Sequence, residues 1–525
     1  MSKICLKITR RLMGLVMTTL CIPQKGMPFG IAMLRPPGSE PFFLLNLSLV
    51  LAFIKNARRA KNGGRKMNLI YNVKDKPKFG QLIVFAIQQL LAIMAATIAV
   101  PAIVGNGMTA SAALFGAGVG TLVYQLFTKF KSPVFLGSSF TFIGSMSVAF
   151  AGAASMSLGY LGLIIGAIFA GLVYVIIALV VKFAGVAWIG KLMPAAVIGP
   201  TVALIGLSLA GAAVNDVFSY GAKVTYGTSS YFIMTENIWV SFVCAIVTLT
   251  VVILCSVYGK KMAKLIPFII GVLAGYAAGL VFTLIGIATK NPALMIIDFT
   301  PFKALVADGV NLSTFISLPK FSFLEALKGT GEFNWSYVAT VAVAYIPVAF
   351  VVFAEHIADH KNLSSIIGAE LLEEPGLHRT LLGDGVGSMV GAFFGGCPNT
   401  TYGESVGCVA ITKNASVVTI TTTAIMSILV SFISPFVAFL DSIPGCVMGG
   451  VCITLYGFIA VSGLKMIQKV DLENNANLFT VSVILITGIG GMAMAIGKVY
   501  ITNIACALIL GIITNIILNR KKKAE

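Results

Sequence analysis

The chain has 525 residues, 58% of them hydrophobic and 11% charged, with a formal net charge of +18. That balance leaves too little polar surface for a soluble globule and marks a polytopic membrane protein. The positive charge sits in an N-terminal block and at the ends of apolar segments, which is an orientation signal and makes no case for nucleic acid. Nine scattered cysteines without paired spacing give no disulfide framework and no metal site.

Residues 1–66 do not read like the rest. They hold twelve Lys or Arg and one acid, Glu40. Two apolar patches, one after Arg10-Arg11 and one over Phe42 to Ile54, are too short to span a bilayer. Neither makes a convincing signal peptide. Met67 then opens a polar, basic lead through Lys78. Two readings stand for residues 1–66. They are a dispensable extension from a mis-assigned start, or an interfacial helix.

Fourteen apolar segments follow, near 81–104, 108–128, 134–151, 158–183, 192–213, 237–257, 264–288, 337–359, 380–395, 401–413, 415–434, 443–463, 477–496 and 499–518. The third and tenth are too short or too polar for a full helix. Interrupted spans at matching places in two halves point to a transporter binding site. Basic residues cluster after every even-numbered segment, as at Lys129, Lys260, Lys361, Lys413, Lys465 and Arg520. The positive-inside rule then places both termini in the cytoplasm. The loop 289–336 is long and balances four Lys with four acids, so it carries little topological weight.

The halves correspond. Gln89 to Glu355 is 266 positions, and Phe140 to Tyr402 is 262. Nearly one offset for two landmarks argues for a duplicated seven-span unit. Seven is odd, so the second copy is inverted in the membrane.

Chemistry concentrates in two stretches. Glu355 follows twelve nearly apolar residues, with His356, Asp359 and His360 close behind. An ionised carboxylate in hydrocarbon is costly, so Glu355 is protonated, paired or facing a wet cavity. Asp359 lies one turn on and shares its face, whereas His356 points elsewhere. The bland alternative is the cytoplasmic end of a span. The second stretch runs from Gly395 to Lys413. Pro398 breaks a helix, Asn399 to Thr401 are polar, and Glu404 opens an apolar run. Unwound backbone survives at bilayer depth only where protein or a water-filled cavity covers it. Gly403 lets backbone come close to a flat ligand, and a helix starting near Glu404 presents free N–H groups.

Other patterns have simpler readings. Gly185 to Lys191 fits the start of a phosphate-binding loop, but Leu192 stands where Ser or Thr would bind magnesium. Asp384 either caps the ninth span or faces the site, and capping is favoured. His378 belongs to a loop.

Pro398-Asn-Thr-Thr-Tyr-Gly-Glu404 resembles the substrate motif of the nucleobase–cation symporter family, also called the nucleobase–ascorbate transporter family. It is most similar to the uracil permease branch, and the resemblance runs from about Met67 to Lys521. The implied fold is all-α, with 14 transmembrane segments as two inverted seven-span repeats. Spans three and ten are broken by short extended segments. A core domain takes spans one to four (78–184) and eight to eleven (336–434). A gate domain takes spans five to seven (190–290) and twelve to fourteen (443–519).

The implied activity is import of uracil across the cell membrane by proton symport, with elevator-like alternating access, rather than an enzyme's. The implied substrate contacts are Glu355, Glu404, Gly403, Tyr402, Phe140 through its backbone, and Gln89. The proton-coupling set is Glu355, Asp359 and His356. Partners are uracil or a similar nucleobase, protons and the bilayer, and the reading is compatible with a homodimer. No cofactor is called for.

Carboxylates suit the two N–H donors of a uracil-like ring, and backbone N–H groups suit its carbonyls. The broken segments hold no basic residue, which argues against an inorganic-anion carrier. In the family pattern purine carriers place Gln where Glu404 stands, so a xanthine or uric acid carrier is the alternative. Three positions depart from the pattern. Asp359 replaces a His one turn after Glu355, Ser405 replaces the usual Asn, and Gln89 stands where many uracil permeases place His.

Overall fold

The computed structural model describes residues 69–519, apart from 186, 227–228, 234–235, 261, 308 and 497–498. Both readings of residues 1–66 therefore lie outside the described residues. Each of the fourteen apolar segments contains a helix. The first half holds α1 (Phe79–Val104), α2 (Ala110–Phe127), α3 (Ile143–Ala151), α4 (Met156–Ala184), α5 (Ala195–Val217), α6 (Glu236–Tyr258) and α7 (Pro267–Thr289). The second holds α8 (Trp335–Ile367), α9 (Leu377–Gly395), α10 (Gly403–Thr412), α11 (Val417–Val430), α12 (Gly445–Ile467), α13 (Asn475–Ile489) and α14 (Asn503–Asn519). Among the described residues, eight helices are long and apolar enough to cross a membrane.

Local chemistry sets the ends. The side chains of Thr109, Ser155 and Asn334 accept backbone N–H bonds at the starts of α2, α4 and α8. Proline opens α7 at its first turn. α8 stops only at Gly368, which takes φ +69°. At 33 residues α8 is about 50 Å long, well beyond the hydrocarbon thickness, so it runs eight residues past the apolar segment that announced it. The thirteenth segment is shorter than its apolar run. Gly490 and Gly491 end α13, and Met494–Ile496 pairs with Val499–Ile501 as a hairpin before α14.

The broken segments meet. β2 (Ala222–Tyr226) and β3 (Ser229–Ile233) pair antiparallel after α5, while β1 (Leu136–Ser138) pairs antiparallel with β4 (Asn399–Thr401), with Gly137 opposite Thr400. Those two are 263 positions apart, inside the offset read from the sequence. Antiparallel pairing of equivalent segments is what a two-fold axis through the pair generates. The helices follow the same axis. α2 packs on α9, and α5 on α12. The contact of α4 with α8 is matched by α11 with α1, that of α4 with α9 by α11 with α2, and that of α6 with α12 by α13 with α5. Helices α1–α4 and α8–α11 form one packed group, and α5–α7 and α12–α14 another.

Glycine brings α2 and α9 together around the strands. A Cβ on Gly391 would lie 2.2 Å from the Asn399 amide, and one on Gly116 would lie 2.5 Å from the Gly391 carbonyl. Helices without side chains at the contact approach closely, as in other membrane interfaces. We expect Gly391→Ala to displace Asn399 and lower the melting temperature of the purified protein, with an overpacking cost of about 1–3 kcal/mol. Gly457→Ala, where nothing lies within 4 Å, is the control, and its melting temperature should not fall. Equal melting temperatures for the two variants would contradict the packing account.

Candidate functional site

A cavity of about 410 Å³ lies where β4, α8 and α10 meet the second helix group. One wall is polar, with Glu355, Asp359, Thr400, Tyr402, Gly403 and Glu404. The facing wall is mostly apolar, with Val202, Pro267, Phe268, Phe458 and Ile459. Phe140 closes one side, and its ring meets Tyr456 edge-on at 5.5 Å between centroids. Such a pocket, apolar with a few convergent polar groups, is the usual form of a small-molecule site.

Three polar wall residues, Glu355, Asp359 and Tyr402, are held from their own helix group. Thr141 Oγ1 donates to Glu355 Oε2 at 3.3 Å. Thr401 Oγ1 donates to Asp359 Oδ2 at 2.9 Å. The Tyr402 hydroxyl donates to the Ser138 carbonyl at 2.9 Å. Gly137 makes room for that ring, because a Cβ there would lie 2.3 Å from it. Thr141 and Thr401 follow β1 and end β4, so each broken segment orients a carboxylate of α8. The sequence reading missed both threonines; their signal was a hydroxyl inside each interrupted segment.

α10 begins at Gly403 without a side-chain cap. Its first N–H groups have no intrahelical partner, and Gly403 and Glu404 face the cavity. A carbonyl-bearing ring can take those donors, while the carboxylates of Glu355 and Glu404 can accept N–H groups. The described residues contain no group of three or more His, Cys, Asp or Glu placed to hold a metal ion.

Glu355, Asp359, Phe140, Tyr402, Gly403 and Glu404 thus come together around one space. Gln89 does not line it. Gln89 is buried, and its Nε2 donates to Ser405 Oγ at 2.6 Å. Ser405 Oγ also accepts the Phe135 N–H at 3.1 Å. That hydrogen bond braces α1 against α10. His356 is also outside the cavity wall, fully buried against α9. Asp384 caps nothing. It lies in the middle of α9, fully buried, with Oδ2 2.6 Å from His356 Nδ1 and with Oδ1 in no hydrogen bond. The preference for a cap failed because α9 begins at Leu377, two turns before Asp384.

Three comparisons bear on this arrangement. The family model Xan_ur_permease, described as a permease family, matches residues 80–497. A uracil permease of Bacillus caldolyticus is 36% identical over 458 residues, covering 87% of this chain and 96% of that protein. A uracil permease of Escherichia coli (strain K12) is 35% identical over 442 residues, covering 84% and 92%. Among solved structures, the transmembrane domain of a cyanobacterium bicarbonate transporter, BicA, has a TM-score of 0.55 at 16% identity, covering 85% of this chain and all of that one. Murine Slc26a9, an anion transporter in the inward-facing state, has a TM-score of 0.54 at 11% identity, covering 95% and 77%. At those identities the structures speak to the fold alone.

Ser405→Ala removes the acceptor of two buried donors. We expect a stability loss of about 1–3 kcal/mol, since two buried N–H groups lose their partner. Thermal unfolding of the purified protein checks this. A combined Gln89→Leu, Ser405→Ala variant should recover part of the loss, because one orphan is gone.

Proposed function

The chain belongs to the Xan_ur_permease family, and from that premise we propose that it imports uracil across the cell membrane in symport with protons. The observation that carries the substrate reading is the pairing of Glu355 and Glu404 with the open start of α10 around one cavity. Uracil offers two N–H donors and two carbonyl acceptors on a planar rim. Carboxylates accept the former and α10 N–H groups donate to the latter. Phe140 and Tyr402 supply aromatic surface for the ring. Relatives bearing the name uracil permease support the choice of pyrimidine.

The coupling proton is assigned to Glu355, with Asp359 beside it. Both face the cavity, and the nearest partner of each is a neutral hydroxyl. Protonation removes a charge that hydrocarbon disfavours and can be linked to ligand binding. Lys264, the one basic residue among the described residues of the cavity wall, is exposed. Lys264, Asn362 and Ser462 lie toward helix ends rich in Lys. By the positive-inside rule that end is cytoplasmic, as are both termini, and the cavity opens inward. In the proposed cycle the group α1–α4 with α8–α11 carries the ligand past the other group.

Uptake of labelled uracil with competing nucleobases tests the substrate. Competition by xanthine and not by uracil would replace this reading with a purine carrier. Collapse of the proton gradient should abolish accumulation, whereas survival of accumulation until sodium is removed would reassign the ion. Glu355→Gln keeps the shape but cannot titrate, so uracil binding should persist while gradient-driven accumulation fails. Glu404→Gln removes a charged acceptor and should weaken uracil about ten- to a hundredfold, the equivalent of about 1.5–3 kcal/mol. Equilibrium binding to each inserted variant decides both points.

A further inference from the structure

A second polar cluster lies behind α8, away from the cavity. His356 follows Glu355 by one residue, so its side chain leaves the helix about 100° round from it. The ring is fully buried. Its Nδ1 lies 2.6 Å from Asp384 Oδ2 and its Nε2 lies 3.0 Å from Thr380 Oγ1. Thr380 donates its hydroxyl proton to the Leu377 carbonyl at 3.1 Å. Its oxygen is therefore left to accept, and His356 Nε2 must carry a proton. One further proton sits between Nδ1 and Asp384. Whichever atom holds it, the pair as a unit is neutral.

The cluster continues one turn along. The His360 ring stacks on His356 with centroids 4.0 Å apart. His360 Nδ1 lies 2.8 Å from the His356 carbonyl, which only accepts, so that nitrogen is also a donor. His360 Nε2 meets the Tyr124 hydroxyl of α2 at 2.8 Å, and that hydroxyl meets Ser132 Oγ at 2.7 Å. The other titratable groups around His356 are Tyr174 of α4, with its ring 6.3 Å away, and Glu355 and Asp359 of α8, which face the cavity.

Resting on the transport reading above, we infer that His356, Asp384 and Thr380 are positioning residues that set the rotation of α8 for its two cavity carboxylates and stand outside the proton path. The imidazole is bound at both ring nitrogens to two residues of α9 that lie one turn apart. Turning α8 by one residue, about 100°, breaks both bonds. The same turn carries Glu355 and Asp359 out of the cavity. Both ring nitrogens of His356 are taken by α9 partners, and neither His356 nor Asp384 lines the cavity from which a coupled proton would come.

The test is uracil binding to the purified full chain across a pH series. His356→Gln and Asp384→Asn should each weaken binding about tenfold or more, the scale of a lost charged hydrogen bond. The pH at which binding changes should stay where the wild type has it. Thr380→Val, which removes the hydroxyl at the edge of the cluster, should weaken binding less, and Thr380→Ser should restore it. Those two variants keep the inference testable where the buried pair cannot be replaced without unfolding. Glu355→Gln is the reference, in which the pH dependence itself flattens. Wild-type affinity with a shifted or absent pH dependence in a cluster variant places the cluster on the proton path and overturns the inference. Wild-type affinity with a wild-type pH profile overturns it as well. A wild-type chain that binds xanthine and not uracil defeats only the substrate reading, and the same series is then measured with xanthine.

Discussion

Two unwound stretches of backbone at membrane depth must find hydrogen bonds, and here each supplies them to the other. β1 and β4 pair across the two-fold relation of the halves, so backbone groups of each find partners in the other. The rest of the site depends on that pairing. It fixes where α3 and α10 begin, and so where the open N–H groups of α10 face. It places Ser138 under Tyr402 and sets Thr141 and Thr401 against the carboxylates of α8. A single interrupted span could not do this, because its broken backbone would lack a partner.

The pairing in turn requires close helices. Thr121 Oγ1 of α2 donates to the Leu136 carbonyl and accepts the Leu136 N–H, clamping β1 from behind. Asn399 Nδ2 donates to the Gly116 carbonyl and clamps β4. Both clamps need α2 and α9 at glycine distance. Polar bonds of the cavity wall therefore stay inside the group α1–α4 with α8–α11. The wall contributed by α5, α7 and α12 is largely apolar. In the proposed cycle a sliding of one group past the other would leave those bonds intact.

Much of this was legible in the sequence. Apolar runs located the fourteen helices and bounded all but α3, α8 and α13 to within a few residues, because hydrocarbon thickness limits the apolar run. The offset of 262 to 266 between landmarks anticipated the register in which Gly137 meets Thr400. Periodicity put Asp359 on the face of Glu355 and His356 off it. Side-chain partners were not legible. Asp384 reads as a cap because a carboxylate beside glycine in an apolar run has few other local uses, and its partner His356 is 28 residues away. The end of α8 was hidden too. Its last turns are polar, and hydropathy stops at the membrane boundary while the helix does not.

Gln89 and Ser405 show the same limit in its sharpest form. Read singly, each is a departure from the pattern the chain resembles, and each weakens the substrate assignment. They are 316 positions apart, and nothing local connects them. In the fold they are the two ends of one buried hydrogen bond, which also takes up the Phe135 N–H. Losing Ser405 alone would leave two buried donors, Gln89 Nε2 and the Phe135 N–H, without an acceptor, at a cost of about 1–3 kcal/mol. Two departures that compensate one another are energetically a single change. Neither residue lines the cavity. Their effect on a ligand therefore passes through the position of α10, and the groups that would read the ring, Glu355, Glu404 and the α10 N–H donors, are those the pattern calls for.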